Sequence, residues 1–182
     1  MGYALAEAAL SLGAETTLIS GPTSIQPPGG VKLISVETTA QMHAAVKKEF
    51  RAVDCLIMAA APSDFTPEKP LKSKIKKSPK GLSVSMKPTV DILKDITATK
   101  RKKQIVVGFA LETDDALPNA RRKLKEKNLD MIVVNVPGKE TGFEHDTNAV
   151  VIIEPRRKPI SLSVAPKSQL SFAILDRVAS LL

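Results

Sequence analysis

Apolar and polar positions along this chain switch repeatedly between a period near 3.6 and short continuous apolar runs. Residues 3–12, YALAEAALSL, place apolar side chains at helical spacing among good helix formers, and Gly13 stands where a helix C-cap belongs. Residues 16–19 then read as a strand, a loop runs from Gly21-Pro22 to Gly29-Gly30, and residues 31–36 read as a second strand. Glu37-Thr38-Thr39 opens a helix reaching about Phe50, and residues 53–58 form a third strand whose apolar run suits the centre of a parallel sheet. Residues 82–86, LSVSM, alternate and predict a strand, and residues 87–100 predict a loop entering a helix with Asp91 near its start. Residues 105–110 and 131–135 are further buried strands, separated by a charged helix over 114–128 that Pro118 is expected to break near its start. The tail changes character: residues 149–153 and 160–164 predict a hairpin across Pro155-Arg156-Arg157-Lys158-Pro159, and 168–182 a closing amphipathic helix.

Helix and strand in alternation predict an α/β fold, a Rossmann-like, doubly wound, mainly parallel sheet in three layers, with a C-terminal hairpin. Such a unit begins on a strand feeding its first helix through a glycine-rich turn. Here the first helix opens the chain, so the expectation is a single domain over 1–182 that lacks its first strand and phosphate loop. The length suits one domain with a sizeable core, and neither repeats nor low-complexity linkers are found.

Composition narrows the class. Hydrophobic residues make up 43% and charged residues 25%, so nothing predicts disorder. The excess of 27 Lys+Arg over 19 Asp+Glu, a formal +8, favours anionic ligands. Five Phe, one Tyr and no Trp are too few for a base-stacking platform, which argues against a nucleic-acid partner and for phosphorylated small molecules. With no apolar run of membrane-spanning length and no basic leader, neither a membrane partner nor secretion is expected, and cytoplasmic localisation is the default. Cys55, the single cysteine, sits in an apolar strand and reads as a small core residue rather than a nucleophile. His43 and His145 have no neighbours at zinc-type spacing, so no metal-ligand set is assigned.

Candidate chemistry gathers around residues 58–77, MAAAPSDFTPEKPLKSKIKK. Met58 ends a strand, Ala59-Ala60-Ala61 leaves room for a ligand to approach the backbone, and Asp64 places a carboxylate at the strand exit ahead of a lysine-rich flap. Ligands of open α/β sheets lie beyond the carboxyl ends of strands, so an acid followed by lysines suits a phosphorylated ligand with a divalent cation. An acidic loop residue before a solvated charge run is the plainer alternative. Lys123 and Lys127, spaced i and i+4, share a helix face and either reach one ligand together or are solvated. Phe109, after Gly108 at a strand end, either lies on a base or packs in the core, and Asp91 either caps its helix or accepts from a ligand hydroxyl. No G-x-G-x-x-G, Walker A or G-x-S-x-G motif is present.

Taken in order, these segments resemble phosphopantothenoylcysteine synthetase, the phosphopantothenate cysteine ligase of coenzyme A biosynthesis. The resemblance runs through Met1-Gly2-Tyr3-Ala4, Gly13-Ala14, Ser20-Gly21-Pro22, AAAPSDFTP, Lys74-Ile75-Lys76-Lys77 and Val90-Asp91-Ile92-Leu93. It continues through Gly108 to Thr113, Lys123-x3-Lys127-x2-Asp130, Asn135 and Gly142-Phe143 to Asn148. It implies a two-step ligation in which 4′-phosphopantothenate is activated by CTP to an acyl-cytidylate and then captured by cysteine, with Mg²⁺ assisting. By position it implies Lys74 as the catalytic flap lysine, and a nucleotide site formed by the backbone of Met58, Ala59 and Ala60, by Asp64, by Val90, Asp91, Ile92 and Leu93, and by Phe109, Lys123 and Lys127. The family's Ser-Asn-x-Ser-Ser-Gly-Lys type loop has no counterpart here, and its Asn-Pro-Asp is Thr89-Val90-Asp91. The resemblance also implies a homodimer and a flavin-dependent decarboxylase, either separate or fused. The βα alternation alone would also fit an NAD(P)-binding oxidoreductase, and the net charge alone a basic nucleic-acid-binding module.

Overall fold

The computed structural model describes residues 1–69, 73–76, 82–111, 115–135 and 145–182. Lys77, Glu112, Thr113, Gly142 and Phe143, named above, lie outside the described residues. The chain runs α1 (Gly2–Ser11), β1 (Thr17–Ser20), β2 (Lys32–Ser35), α2 (Thr39–Glu49), β3 (Cys55–Met58), β4 (Phe65–Pro67) and β5 (Met86–Pro88). It continues through α3 (Ile92–Thr97), β6 (Ile105–Leu111), α4 (Ala116–Glu126), β7 (Met131–Asn135), β8 (Thr147–Ile153), β9 (Ile160–Pro166) and α5 (Lys167–Ala179).

The α/β architecture follows the sequence expectation. β3, β6 and β7 are parallel neighbours, and the β8–β9 hairpin continues the sheet antiparallel from β7, in the order β3-β6-β7-β8-β9. β1 and β2 pair parallel as a separate two-stranded sheet. Helices cover both faces. On one face Val106, Ala110, Ile132 and Val134 pack with Met42 and Val46 of α2, Ile92 and Ile96 of α3, and Ala120 and Leu124 of α4. On the other, Val107, Met131, Val133 and Val150 pack with Leu5 of α1 and Leu170, Ile174 and Val178 of α5. Successive strand side chains point to opposite faces, so strands buried on both sides read as unbroken apolar runs, and Val106, Val107, Val133 and Met131 are each 0% exposed.

Local chemistry sets the helix starts. Thr38 caps α2, accepting from the Gln41 amide while Gln41 Oε1 accepts from the Thr38 amide, a closed capping box. Asp91 caps α3 by accepting from the Lys94 amide at 3.2 Å.

Two expectations are corrected. The alternating stretch 82–86 is not a strand: only Met86 enters β5, a three-residue partner of β4, and Leu82, Val84 and Met86 are all exposed. Alternation specifies a strand only where one face is covered, and here neither is. Pro118 does not break α4, which begins at Ala116 and so holds the proline in its first turn, where the missing N–H has no intrahelical acceptor to lose.

Candidate active site

The carboxyl ends of β1, β2 and β3 open on a cleft of about 310 Å³. Gly21, Val36, Thr38, Thr39 and Met42 line one side and Ala60, Ala61, Pro62 and Ser63 the other. Small side chains after Met58 make the space, with Ala60, Ala61 and Ser63 in the lining. Tyr3 fastens α1 to β1 through a 2.9 Å hydrogen bond between its hydroxyl and that of Ser20.

Backbone bonds tie the strand-exit loop to α3. The Thr89 amide donates to the Asp64 carbonyl at 2.9 Å and the Thr89 hydroxyl to the Ser63 carbonyl at 2.7 Å. β4 and β5 extend this junction as a short antiparallel ribbon. Two residues on, Asp91 accepts from Lys127 Nζ at 2.9 Å, across from α3 to the end of α4. Burial alone would raise the Asp91 carboxyl, but Lys127 and the Lys94 amide outweigh it and hold the group below its ordinary value. Asp64, Thr89, Asp91 and Lys127 thus form one connected line, with the Asp64 side chain exposed at its rim.

Other expected site residues are placed differently. Ile92 and Leu93 are buried in the core, 3% and 9% exposed, so only their backbone is available to a ligand, whereas Val90 is exposed. Met58 packs into that same cluster, while Ala59 and Phe109 pack against the cluster of α1 and α5. The Phe109 ring is therefore on the opposite face of the sheet from Asp91 and Lys127, and the side chains of these three do not converge. Lys123 is half-buried one turn before Lys127. Lys74 is exposed within the short described stretch 73–76, and among the described residues no hydrogen bond or ion pair joins it to Asp64 or Asp91.

Thr89 and the Asn135–Asn148 pair are polar features that periodicity does not single out. Asn148 Nδ2 donates to Asn135 Oδ1 at 2.8 Å where β7 ends and β8 begins. Each asparagine bounds an apolar run, and the resemblance runs through both, but no role is assigned to either there.

Among the described residues, no three His, Cys, Asp or Glu side chains gather as a metal cage. Magnesium needs none: it keeps waters and takes one or two carboxylates beside phosphate oxygens, a donor set that Asp64, exposed directly after the cleft-lining Ser63, fits. Among the described residues, no helix is long and apolar enough to cross a membrane. Cys55 lies part-buried in β3, and burial, with Asp130 and Asp54 adding to it, pushes its thiol up to about 12.

Comparison with known proteins supplies the family. Residues 1–182 match the model described as "DNA/pantothenate metabolism flavoprotein C-terminal domain". The chain is 46% identical over 183 residues to the coenzyme A biosynthesis bifunctional protein CoaBC of Bacillus subtilis (strain 168), covering all of this chain and 45% of that protein. It is 40% identical to a cysteine/cysteine sulfinic acid decarboxylase of an unknown prokaryotic organism, covering 51% of it, so the chain spans about half the length of these relatives. Among solved structures it is similar to the C-terminal domain of a CoaBC, with a TM-score of 0.82 and 36% identity over 97% of this chain and 79% of that one. It shares the fold, at 18% identity and a TM-score of 0.74, with a Cab2 mutant in complex with phosphopantothenate-cysteine, covering 99% of this chain and 77% of that one. A match along the whole length, on a sheet whose strand ends carry the motif residues, shows that the chain belongs to the family of the DNA/pantothenate metabolism flavoprotein C-terminal domain.

Proposed function

We propose that this domain is a phosphopantothenate cysteine ligase of coenzyme A biosynthesis that uses CTP. The observation that carries the reading is the 46% identical match, over all of this chain and 45% of the relative, to a protein named for coenzyme A biosynthesis. The Ala60–Ser63 loop along the cleft, with the exposed Asp64 next in the chain, supports it. In the first step a carboxylate oxygen of 4′-phosphopantothenate attacks the α-phosphorus of CTP, and the bond to the bridging oxygen breaks to release pyrophosphate. In the second, the amine of cysteine attacks the acyl carbon, loses a proton, and CMP leaves.

The chain's task is to hold anions together and keep water from the acyl-nucleotide. Lys74, brought in by the flap, neutralises the phosphate chain. Lys127, with its charge directed at Asp91, holds the α3 cap at a fixed height beneath the nucleotide, and Lys123 adds a cation one turn earlier. The apolar walls of the cleft, Val36, Met42 and Pro62, suit the aliphatic body of the acid substrate. Asp64 would hold Mg²⁺, which when bound would spread the phosphate charge. The assembly is a homodimer, with the exposed outer edge of the sheet at β9 as its contact element, and a flavin-dependent decarboxylase, fused or separate, works beside it.

Pyrophosphate release tests the reading. The intact protein with phosphopantothenate should release it with CTP, and Lys74→Ala should lower kcat by about 10²–10³. No release under these conditions overturns the proposal.

A further inference from the structure

Asn148 is 2% exposed, yet it carries a carboxamide, whose burial without partners would be costly. Its two bonds fix its polarity. The Ala149 amide is a backbone N–H and can only donate, so the atom it meets at 3.0 Å is Asn148 Oδ1. Asn148 therefore turns its Nδ2 toward Asn135, and Asn135 must answer with Oδ1, at 2.8 Å. A single backbone N–H thus dictates the orientation of two side-chain amides in series.

The surroundings place this relay at a useful spot. Asn135 pairs with Leu111 of β6 and Val150 of β8 at the carboxyl end of β7. By alternation it shares a face with Val133, and so with Phe109 and Ala59. Beside Asn148 the β8–β9 register shifts by one, so that Ser163 and Val164 stand opposite Ala149 alone. Such bulges re-aim side chains next to sites, and here the local irregularity accompanies the bond from Ala149 to a side chain.

We propose that Asn148 is a positioning residue that locks the Asn135 carboxamide with its two N–H donors presented to an acceptor oxygen of the ligand bound beyond the strand tips. The inference rests on the ligase reading for the identity of that ligand. The polarity of the pair stands apart from it.

Asn148→Asp tests the lock with almost no change of shape. A carboxylate still accepts from the Ala149 amide but can no longer donate, so Asn135 must flip and present its oxygen to the ligand. In the intact protein the KM for CTP should rise about tenfold with kcat within about twofold, the consequence of losing one hydrogen bond and facing acceptor to acceptor. Asn148→Ala, which frees Asn135 to rotate, should raise KM less. Because a buried carboxylate can cost stability, a second measurement uses the wild-type fold. Asparagine-selective ¹⁵N spectra should show the Asn135 side-chain amide shifting on addition of CTP, and in the absence of nucleotide an Asn148 amide contact to Asn135. An unchanged KM in Asn148→Asp, a fall in kcat alone, or an Asn135 amide indifferent to nucleotide overturns the proposal. Absence of turnover in the wild type would instead refute the ligase reading, and the Asn148-to-Asn135 contact in nucleotide-free spectra would then still report on the lock.

Discussion

Replacing Gly108 by alanine probes the contact on which the α3–α4 layer rests. A Cβ at that position would stand 2.7 Å from Leu129 Cδ1 and 3.4 Å from Leu93 Cδ1, against an ordinary carbon contact of about 3.5–4.0 Å. The Leu129 methyl must therefore retreat by about 1 Å. It has little room: Leu129 is 5% exposed, and its amide is tied to the Leu124 carbonyl at 3.0 Å. Overpacking of this kind costs about 1–3 kcal/mol, and the smaller entropy of an unfolded chain carrying alanine offsets about 0.4–1 kcal/mol. A net loss of about 1–2 kcal/mol lowers Tm by about 2–8 °C for a domain of this size, readable by calorimetry. The paired test is Leu129→Ala, which alone should cost about 2–5 kcal/mol; combined with Gly108→Ala, the two should cost less than their sum by at least about 0.5 kcal/mol, since the clash is gone. A Gly108→Ala protein melting at or above the wild type, or strictly additive losses, would refute the packing argument. Because Leu93 lies two residues past the Asp91 cap, the same substitution should also raise the KM for nucleotide.

Three further outcomes follow from the described contacts. Asp91 titrates below its ordinary value, so its pairing with Lys127 stabilises the fold above about pH 4 and the benefit disappears as pH falls through the depressed folded value; the stability gap between wild type and Asp91→Asn should be flat at neutral pH and close in acid. The Cys55 thiol, pushed up to about 12, should react with a disulfide reagent only after denaturant is added, and rapid labelling of the native protein would contradict its placement. Glu154, 3% exposed, receives Arg177 through two nitrogens at 2.6 and 3.0 Å and Arg157 through one at 2.8 Å. Arg177→Ala should therefore destabilise by about 2–4 kcal/mol and the more exposed Arg157→Ala by under about 1 kcal/mol in urea titrations, and equal losses would sink the ranking.

Much of the architecture was legible because the strands that matter are buried on both faces. Runs such as Met131-Ile132-Val133-Val134 have no other low-cost environment, and the helices between them carry caps at Thr38 and Asp91 that announce themselves. The stretch 82–86 misled for the opposite reason: alternation without a covering layer leaves a strand nothing to hold it. The candidate site was legible as a set of strand-end residues, not as a geometry. The resemblance put Phe109 and Asp91 in one nucleotide site, but one residue of register decides which face a ring takes, and Gly108, not Phe109, is the position that meets α3. The asparagine relay was invisible to periodicity because it is a side-chain bond across the β7–β8 junction, between residues 13 apart in sequence.

The central sheet acts as a partition. Anything bound across its rim is gripped from two compartments that share no side chains, one built by α2, α3 and α4 and the other by α1 and α5. Substitutions confined to either compartment should retune the contacts made from that side of the rim and leave the packing of the other compartment intact.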